Sequence, residues 1–386
     1  MALIYTAFFS KSVRKTAVFY RQPPRPPLNK SGMAVGPLVE NFLECTRAAK
    51  KIIVVDFGFL GDSVHLIPAL WEIKRHYPAA ELHTLSATVG AEVLKLAPCV
   101  DRAWAFPLTP KSPPWWRHWN ILWALRRERF DAAFNFSGSD RSIFVTAFLG
   151  ARWTLAWQAG RKHFWNRWLS AQWVERGSRD MPVFEQRRQV LAVGGFKLQS
   201  PRFDLCLPQE AVQWAETALA DQSVHLSINA STPLKEWPLE NWIGLAKMLL
   251  ARDPSLQLTA TASSKPREQQ RLQALAAAVN NPRVLYFDGL SIARLAALLR
   301  RCRLHIGADS GVGHLAMSVG VPTLTIFRQY VGLREWMPEG ENHRYLIADC
   351  PCVIEHKTDC LRAERAACLA SITSGEVYEK ACQLLR

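Results

Sequence analysis

No stretch of these 386 residues reaches the roughly 18–20 consecutive apolar positions that a membrane-crossing helix needs, so the chain reads as a soluble protein. Acidic residues are scarce: 33 Asp and Glu stand against 48 Lys and Arg. The first 39 residues carry six bases and no acid. That segment has "RQPPRPPLNK" in its middle and no continuous apolar core, so it is not a secretory signal; a flexible basic leader is expected over 1–50. Cysteine, nine in all, is too thinly spread for a small disulfide scaffold, and the scatter suits a reducing cytoplasm. Zinc-finger spacing, an RNP-like stretch and basic heptads are also missing. The net charge of +15 therefore does not announce a nucleic-acid partner, and an anionic lipid surface or a phosphorylated sugar is left to explain it.

What is present is a length suited to two domains and a 49% apolar content able to fill their cores. Strand-like "KIIVVDF", "AELHTL", "DRAWAF", "FDAAFNF" and "ARWTLAW" alternate with helical periods such as 63–76 and 116–127. A second series, "VHLSINA", "LQLTATA", "RVLYFDG", "RLHIGAD" and "PTLTIF", alternates with helices over 239–250, 267–278 and 291–300. β-branched runs between amphipathic helices predict βαβ units and parallel sheets. The series break at "KLQSPRFDLCLPQE", a proline-bearing stretch of little period, dividing a domain at 51–203 from one at 204–365. The expected class is α/β, with two doubly wound domains and a cleft between them. Ligands of such sheets lie at the carboxyl ends of the strands. A last helical stretch within 366–386 is expected to pack back on the first domain.

Three motifs carry chemistry. Gly58-Phe59-Leu60-Gly61-Asp62 follows the first strand with the spacing G-x-x-G-D, which is neither the dinucleotide fingerprint nor a Walker A loop. Its glycines allow a tight turn, and Asp62 either caps the next helix or serves as a base. "NASTPLKEWP" brings Ser231 and Thr232, hydroxyls suited to a phosphate, and Lys235, a point charge for pyrophosphate. "HIGADSGVGHLAMSVGVPTLTIF" ends a strand, passes Asp309, Ser310 and Gly311, and opens a short helix near His314. Small residues leading into a helix N-terminus offer an anion site, though Asp309 and Ser310 could equally be caps.

This ordered set, G-x-x-G-D, then S-T-x-x-K-x-W-P, then G-x-D-S-G-x-x-H-L-A…G-V-P-T, resembles the bacterial ADP-heptose:lipopolysaccharide heptosyltransferases, glycosyltransferase family 9. The likeness runs from about residue 51 to the end. It implies the GT-B fold, two Rossmann-like domains around a cleft, and inverting transfer of L-glycero-D-manno-heptose from ADP-heptose to the lipopolysaccharide inner core. It implies Asp62 as the general base, with Gly61 beside it on the acceptor side. Ser231, Thr232, Lys235, Asp309, Ser310, Gly311 and His314 would hold the donor, and Glu268 in "SSKPREQQRL" would contact its nucleoside. No cofactor is implied beyond the ADP-sugar substrate, and no nucleic acid.

The acceptor would be a lipopolysaccharide precursor or another anionic glycan, and Arg141 after "NFSGSD" is the best single anion contact. Fourteen Lys or Arg against six Asp or Glu over 111–188, interleaved with tryptophan, suit a cytoplasmic enzyme resting on the anionic inner-membrane face. Two other readings remain open: a relative with a protein or other glycan acceptor or another nucleotide-sugar donor, and a non-catalytic nucleotide-sugar binder. Cys350, Cys352, Cys360 and Cys368, spaced C-x-C-x7-C-x7-C, match no zinc ribbon; ordinary thiols are expected, with a structural metal the less favoured alternative.

Overall fold

The computed structural model describes residues 41–108, 118–158, 172–175, 180–220, 223–350, 352 and 366–385. The first sheet is built from β1 (Lys51–Asp56), β2 (Glu81–Ala87), β3 (Arg102–Phe106), β4 (Ala132–Asn135), β5 (Trp153–Gln158) and β6 (Gln172–Glu175). The helices beside it are α1 (Phe42–Cys45), α2 (Leu60–His76), α3 (Thr88–Leu94), α4 (Trp119–Arg127), α5 (Asp140–Leu149) and α6 (Val183–Val193). After irregular chain over 194–208, α7 (Gln209–Ala218) leads to the second sheet: β7 (Ser223–Ser227), β8 (Gln257–Ala262), β9 (Val284–Asp288), β10 (Leu304–Ala308), β11 (Thr323–Arg328) and β12 (His343–Ala348). Its helices are α8 (Leu239–Arg252), α9 (Pro266–Val279), α10 (Ile292–Arg301), α11 (Gly311–Ser318) and α12 (Ser374–Leu384).

Both sheets have six strands, in the orders β3-β2-β1-β4-β5-β6 and β12-β11-β10-β7-β8-β9. Every pairing is parallel. β1 is buried along nearly its whole length, the pattern of a central strand covered on both faces. Each order reverses direction once, between β1 and β4 in the first sheet and between β7 and β10 in the second. Those switch points open a crevice at the carboxyl ends of the strands.

The domains share an apolar interface. Ile292, Leu295, Ala296 and Leu299, one stripe of α10, join Leu315 and Ala316 of α11 in the same buried cluster as Val64 and Leu66 of α2. A second core, lined by Trp237 and Trp242, fills the space between the second sheet and α8, α9 and α12.

Several expectations need correction. The helix after β1 begins at Leu60, three residues earlier than the apolar period suggested, so Asp62 lies in its first turn. Residues 41–50 do not belong to a loose leader. Phe42 is buried edge-on against Phe134 with centroids 5.4 Å apart, and the Thr46 hydroxyl lies 2.5 Å from that of Tyr77. Residues 1–40 lie outside the described residues. The strand patterns left out two edge strands: β12, whose "HRYLIA" pairs with β11, and β6, whose "QWVE" pairs with β5. The C-terminal helix α12 packs on the second domain, not the first. The Trp237 indole N–H and the Asn241 amide both donate to the Ile372 carbonyl, at 2.9 and 3.2 Å, and Ser374 Oγ donates to the Asn241 carbonyl at 2.8 Å. Val377 and Ala381 of α12 are fully buried in that core. Among the described residues no helix is long and apolar enough to cross a membrane.

Candidate active site

The four loops at the two switch points bring together most of the residues singled out by sequence. Gly58 to Asp62 follows β1, and Ser137 to Arg141 follows β4. Asn229 to Lys235 follows β7, and Asp309 to Gly311 follows β10.

In the first of these loops the Asp62 carboxylate turns back on its own chain. Its Oδ2 accepts from the Phe59 N–H at 2.9 Å, capping α2, and its side chain stays 23% exposed. Cap and candidate base are thus one residue. A Cβ on Gly58 would stand 2.2 Å from Asp62 Cβ and 2.8 Å from Oδ2, so only glycine leaves room for this carboxylate. The other glycine serves the opposite domain. A Cβ on Gly61 would meet His314 Cδ2 at 2.9 Å, and one on Gly311 would meet the Gly61 nitrogen at 2.9 Å. Gly61 and Gly311, expected on the acceptor and donor sides, lie against each other where the N-termini of α2 and α11 meet.

His314 crosses this contact. Its Nδ1 lies 3.0 Å from Nε2 of His65 on α2, and Trp336 packs against both rings with centroids 5.5 and 5.6 Å away. Burial pushes His314 down to about 4, with Asp309 and Asp62 pulling upward and Lys235 downward. His65 is driven well below its usual value by burial, then by His314 and Arg187. The imidazole pair is therefore neutral at pH 7, and His314 lies within electrostatic reach of carboxylates from both domains.

In the second domain Lys235 Nζ lies 2.8 Å from Asp309 Oδ2. The same oxygen accepts from the Tyr330 hydroxyl at 3.1 Å, and Lys235 sits 5.1 Å above the Tyr330 ring centroid. Burial raises the Tyr330 phenol above its usual range, with the Asp309 charge adding to it. Thr232 Oγ1 accepts from the Leu234 N–H at 3.4 Å, ordering the short turn that carries Lys235, while Ser231 is exposed. That turn is braced from beneath: Glu236 accepts from the Ala230 N–H at 3.2 Å and pairs with Arg267 at 2.5 Å. Ser310 Oγ is buried and finds no partner, and Asn229 Oδ1 is in the same condition. The Ser310 hydroxyl can donate, and beside a helix N-terminus it is suited to an anionic ligand, whereas Asn229 Oδ1 can only accept.

Glu268 lies in the first turn of α9, its Oε2 accepting from the Ser263 N–H at 3.1 Å and its Oε1 3.3 Å from Lys265 Nζ. Burial opposes its ionisation, but the Ser263 bonds and Lys265 outweigh that and hold the carboxyl below its usual range. Its backbone carbonyl accepts from the Asn229 amide at 3.4 Å, tying it to the Lys235 loop. Arg141 is exposed in the first turn of α5, after the strand adjacent to β1. Among the described residues no three His, Cys, Asp or Glu gather as a metal site. Cys350 is buried, Cys352 and Cys368 are half-buried, and Cys360 lies outside the described residues. Most of the basic, tryptophan-rich stretch "GRKHFWNRWLSAQW" lies outside them as well.

Sequence reasoning passed over Arg187, Asp56 and Tyr330. Arg187 had a readable signal. It falls at i+4 from Val183 and i−3 from Val190, both buried, so the helical period sets a charge on the core face.

A model of glycosyltransferase family 9 (heptosyltransferase) matches residues 118–364. Lipopolysaccharide heptosyltransferase 1 of Pseudomonas aeruginosa is 26% identical over 337 residues, 80% of this chain and 87% of that protein. Among solved structures, a glycosyl transferase family 9 protein from Veillonella parvula superposes with a TM-score of 0.72 at 18% identity, covering 87% of this chain and 97% of its own. The E. coli heptosyltransferase WaaC with ADP-2-deoxy-2-fluoro heptose gives 0.67 at 17% identity, covering 86% and 99%. The fold is GT-B, two Rossmann-like domains.

Proposed function

This chain belongs to glycosyltransferase family 9, the heptosyltransferases, and on that premise we propose that it transfers L-glycero-D-manno-heptose from ADP-heptose to the inner core of a lipopolysaccharide precursor, inverting the sugar carbon. The observation that carries this is the meeting of the two switch points. Asp62 comes from one domain and the Lys235–Asp309 pair from the other, with His314 between them, joined to His65 of the Asp62 helix at 3.0 Å.

In this reading Asp62 takes the proton of the acceptor hydroxyl as its oxygen attacks the anomeric carbon. The bond from that carbon to the β-phosphate oxygen breaks, and ADP leaves with the electron pair. Charge growing on the diphosphate is met by Lys235 and the N-terminus of α11, with no metal required. Ser231, Thr232, Ser310 and Gly311 would line the diphosphate, and Glu268 the nucleoside. Arg141, exposed beside the Asp62 loop, suits a carboxylate or phosphate of the acceptor. Half-exposed Trp119 and Trp123 on α4, with Arg126 and Arg127 in its last turn, support peripheral contact with the anionic cytoplasmic face of the inner membrane.

The test is heptose transfer from ADP-heptose to a Kdo-containing lipid A acceptor, with and without EDTA, for wild type and Asp62→Asn. A positioned base contributes about 10²–10⁴-fold, so the variant should lose that much kcat while binding ADP unchanged. Wild-type turnover in Asp62→Asn would reject the base. Failure of the wild-type protein to transfer, despite binding donor, would reject the lipopolysaccharide acceptor.

A further inference from the structure

Arg187 is a fully buried cation that the reaction as described does not use. It projects from α6 into the loop after β1. One guanidinium nitrogen lies 2.5 Å from Asp56 Oδ2 and 3.6 Å from Asp62 Oδ1, and the other donates to the Asp62 backbone carbonyl. Asp56 Oδ1 in turn accepts from the Gly58 N–H at 2.8 Å. Both ends of the G-x-x-G-D loop are therefore tied to one Asp56–Arg187 unit, Gly58 through the carboxylate and Asp62 through the guanidinium.

We infer that Arg187 is the positioning residue for Asp62: clamped by Asp56, it sets the direction of the Asp62 carboxylate and supplies the positive charge beside it. This rests on Asp62 being the base. A cation kept only to neutralise Asp56 would need one partner, and a buried pair of that kind can often be replaced by apolar residues without loss of stability. Here a second carboxylate and a backbone carbonyl converge on the same guanidinium. Burial pushes Asp56 up to about 6 against the pull of Arg187, and Asp62 adds to that push. The two acids thus compete for one cation. Among the described residues, His65 on α2 and His314 on α11 also face this cluster, the latter in turn facing Asp309 and Lys235. Arg188, the next residue, is engaged elsewhere, with Glu72 at 3.1 Å and Glu185 at 2.5 Å.

The experiment compares Arg187→Met, Arg187→Lys and the double variant Asp56→Asn/Arg187→Met, with Asp62→Asn alongside, by melting temperature, kcat and donor KM. The double variant removes both buried charges and so avoids leaving Asp56 unpaired. It should melt near wild type and keep donor KM within about 3-fold, while kcat falls about 10²-fold, the effect of misplacing a reacting group by an ångström. Arg187→Lys, which keeps the charge, should recover part of the lost kcat.

A double variant with wild-type kcat would overturn the inference, leaving Arg187 a partner for Asp56 alone. So would a loss in Arg187→Met that the double variant repairs. If the double variant does not fold, Arg187→Met against Arg187→Lys decides, and equal kcat in those two variants overturns it. Should Asp62→Asn itself keep wild-type transfer, the base reading fails first, and is seen to fail separately.

Discussion

A single methyl group at Gly311, which the proposed reaction sets beside the donor diphosphate, should above all force the two domains apart. The β-carbon of Gly311→Ala would stand 2.7 Å from Leu60 Cβ, 2.9 Å from Leu60 Cγ and 2.9 Å from the Gly61 nitrogen. Carbon atoms rest about 3.5–4.0 Å apart, so the ends of α2 and α11 must separate by roughly 1 Å. Overpacking of this kind costs about 1–3 kcal/mol. A 1 Å displacement of the base from the sugar carbon costs about 10²-fold in rate. The expected result is therefore a kcat about 10²-fold down, with a smaller loss of ADP affinity by calorimetry, because Lys235 and Asp309 lie on one domain and keep their pairing. Gly313→Ala on the same helix is the control for stability. Its nearest neighbour would be His305 Nε2 at 3.6 Å, an ordinary contact, and alanine favours a helix over glycine by about 1 kcal/mol. Its melting temperature should hold or rise where that of Gly311→Ala falls. Wild-type kcat in Gly311→Ala would refute the reasoning, and a collapse of ADP affinity would assign Gly311 to the donor loop alone.

Two further outcomes follow from the same geometry. His314 is held at about 4 in the folded protein against about 6.5 unfolded, so between those values the unfolded chain binds more protons. Its contribution is complete above pH 6.5 and lost as pH falls toward 4. Between pH 6.5 and 5 that amounts to about 2 kcal/mol, seen as a falling urea midpoint and a shallower fall in His314→Gln. His65, His225 and His305 act in the same direction, each lowered first by burial, and Asp56, raised to about 6, opposes them. Trp237→Phe removes the bond to the Ile372 carbonyl that docks the C-terminal helix. It should cost about 1–2 kcal/mol, read as a lower melting temperature, with Asn241 still bonded to that carbonyl.

The sequence by itself determined the two βαβ series, the break between them and the order of the three motifs. Strand and helix periods, and the chemistry of a loop leaving a strand, are set by neighbours a few residues away. From those series alone, Asp62, Lys235 and Asp309 could be put at the carboxyl ends of strands. Glu268 and Arg141 could be put after other strands of the same two series. Tertiary structure decided everything that depends on partners distant in the chain. His65 meets His314 across 249 residues, and Arg187 reaches Asp56 across 131. No local period encodes those meetings, and a glycine that admits a ligand looks the same in sequence as one that admits another domain. The C-terminal helix is the clearest case. Its amphipathic period announced a face to be buried, but partners distant in the chain, Trp237 and Asn241 at the Ile372 carbonyl and the core that takes Val377 and Ala381, fixed which domain buries it.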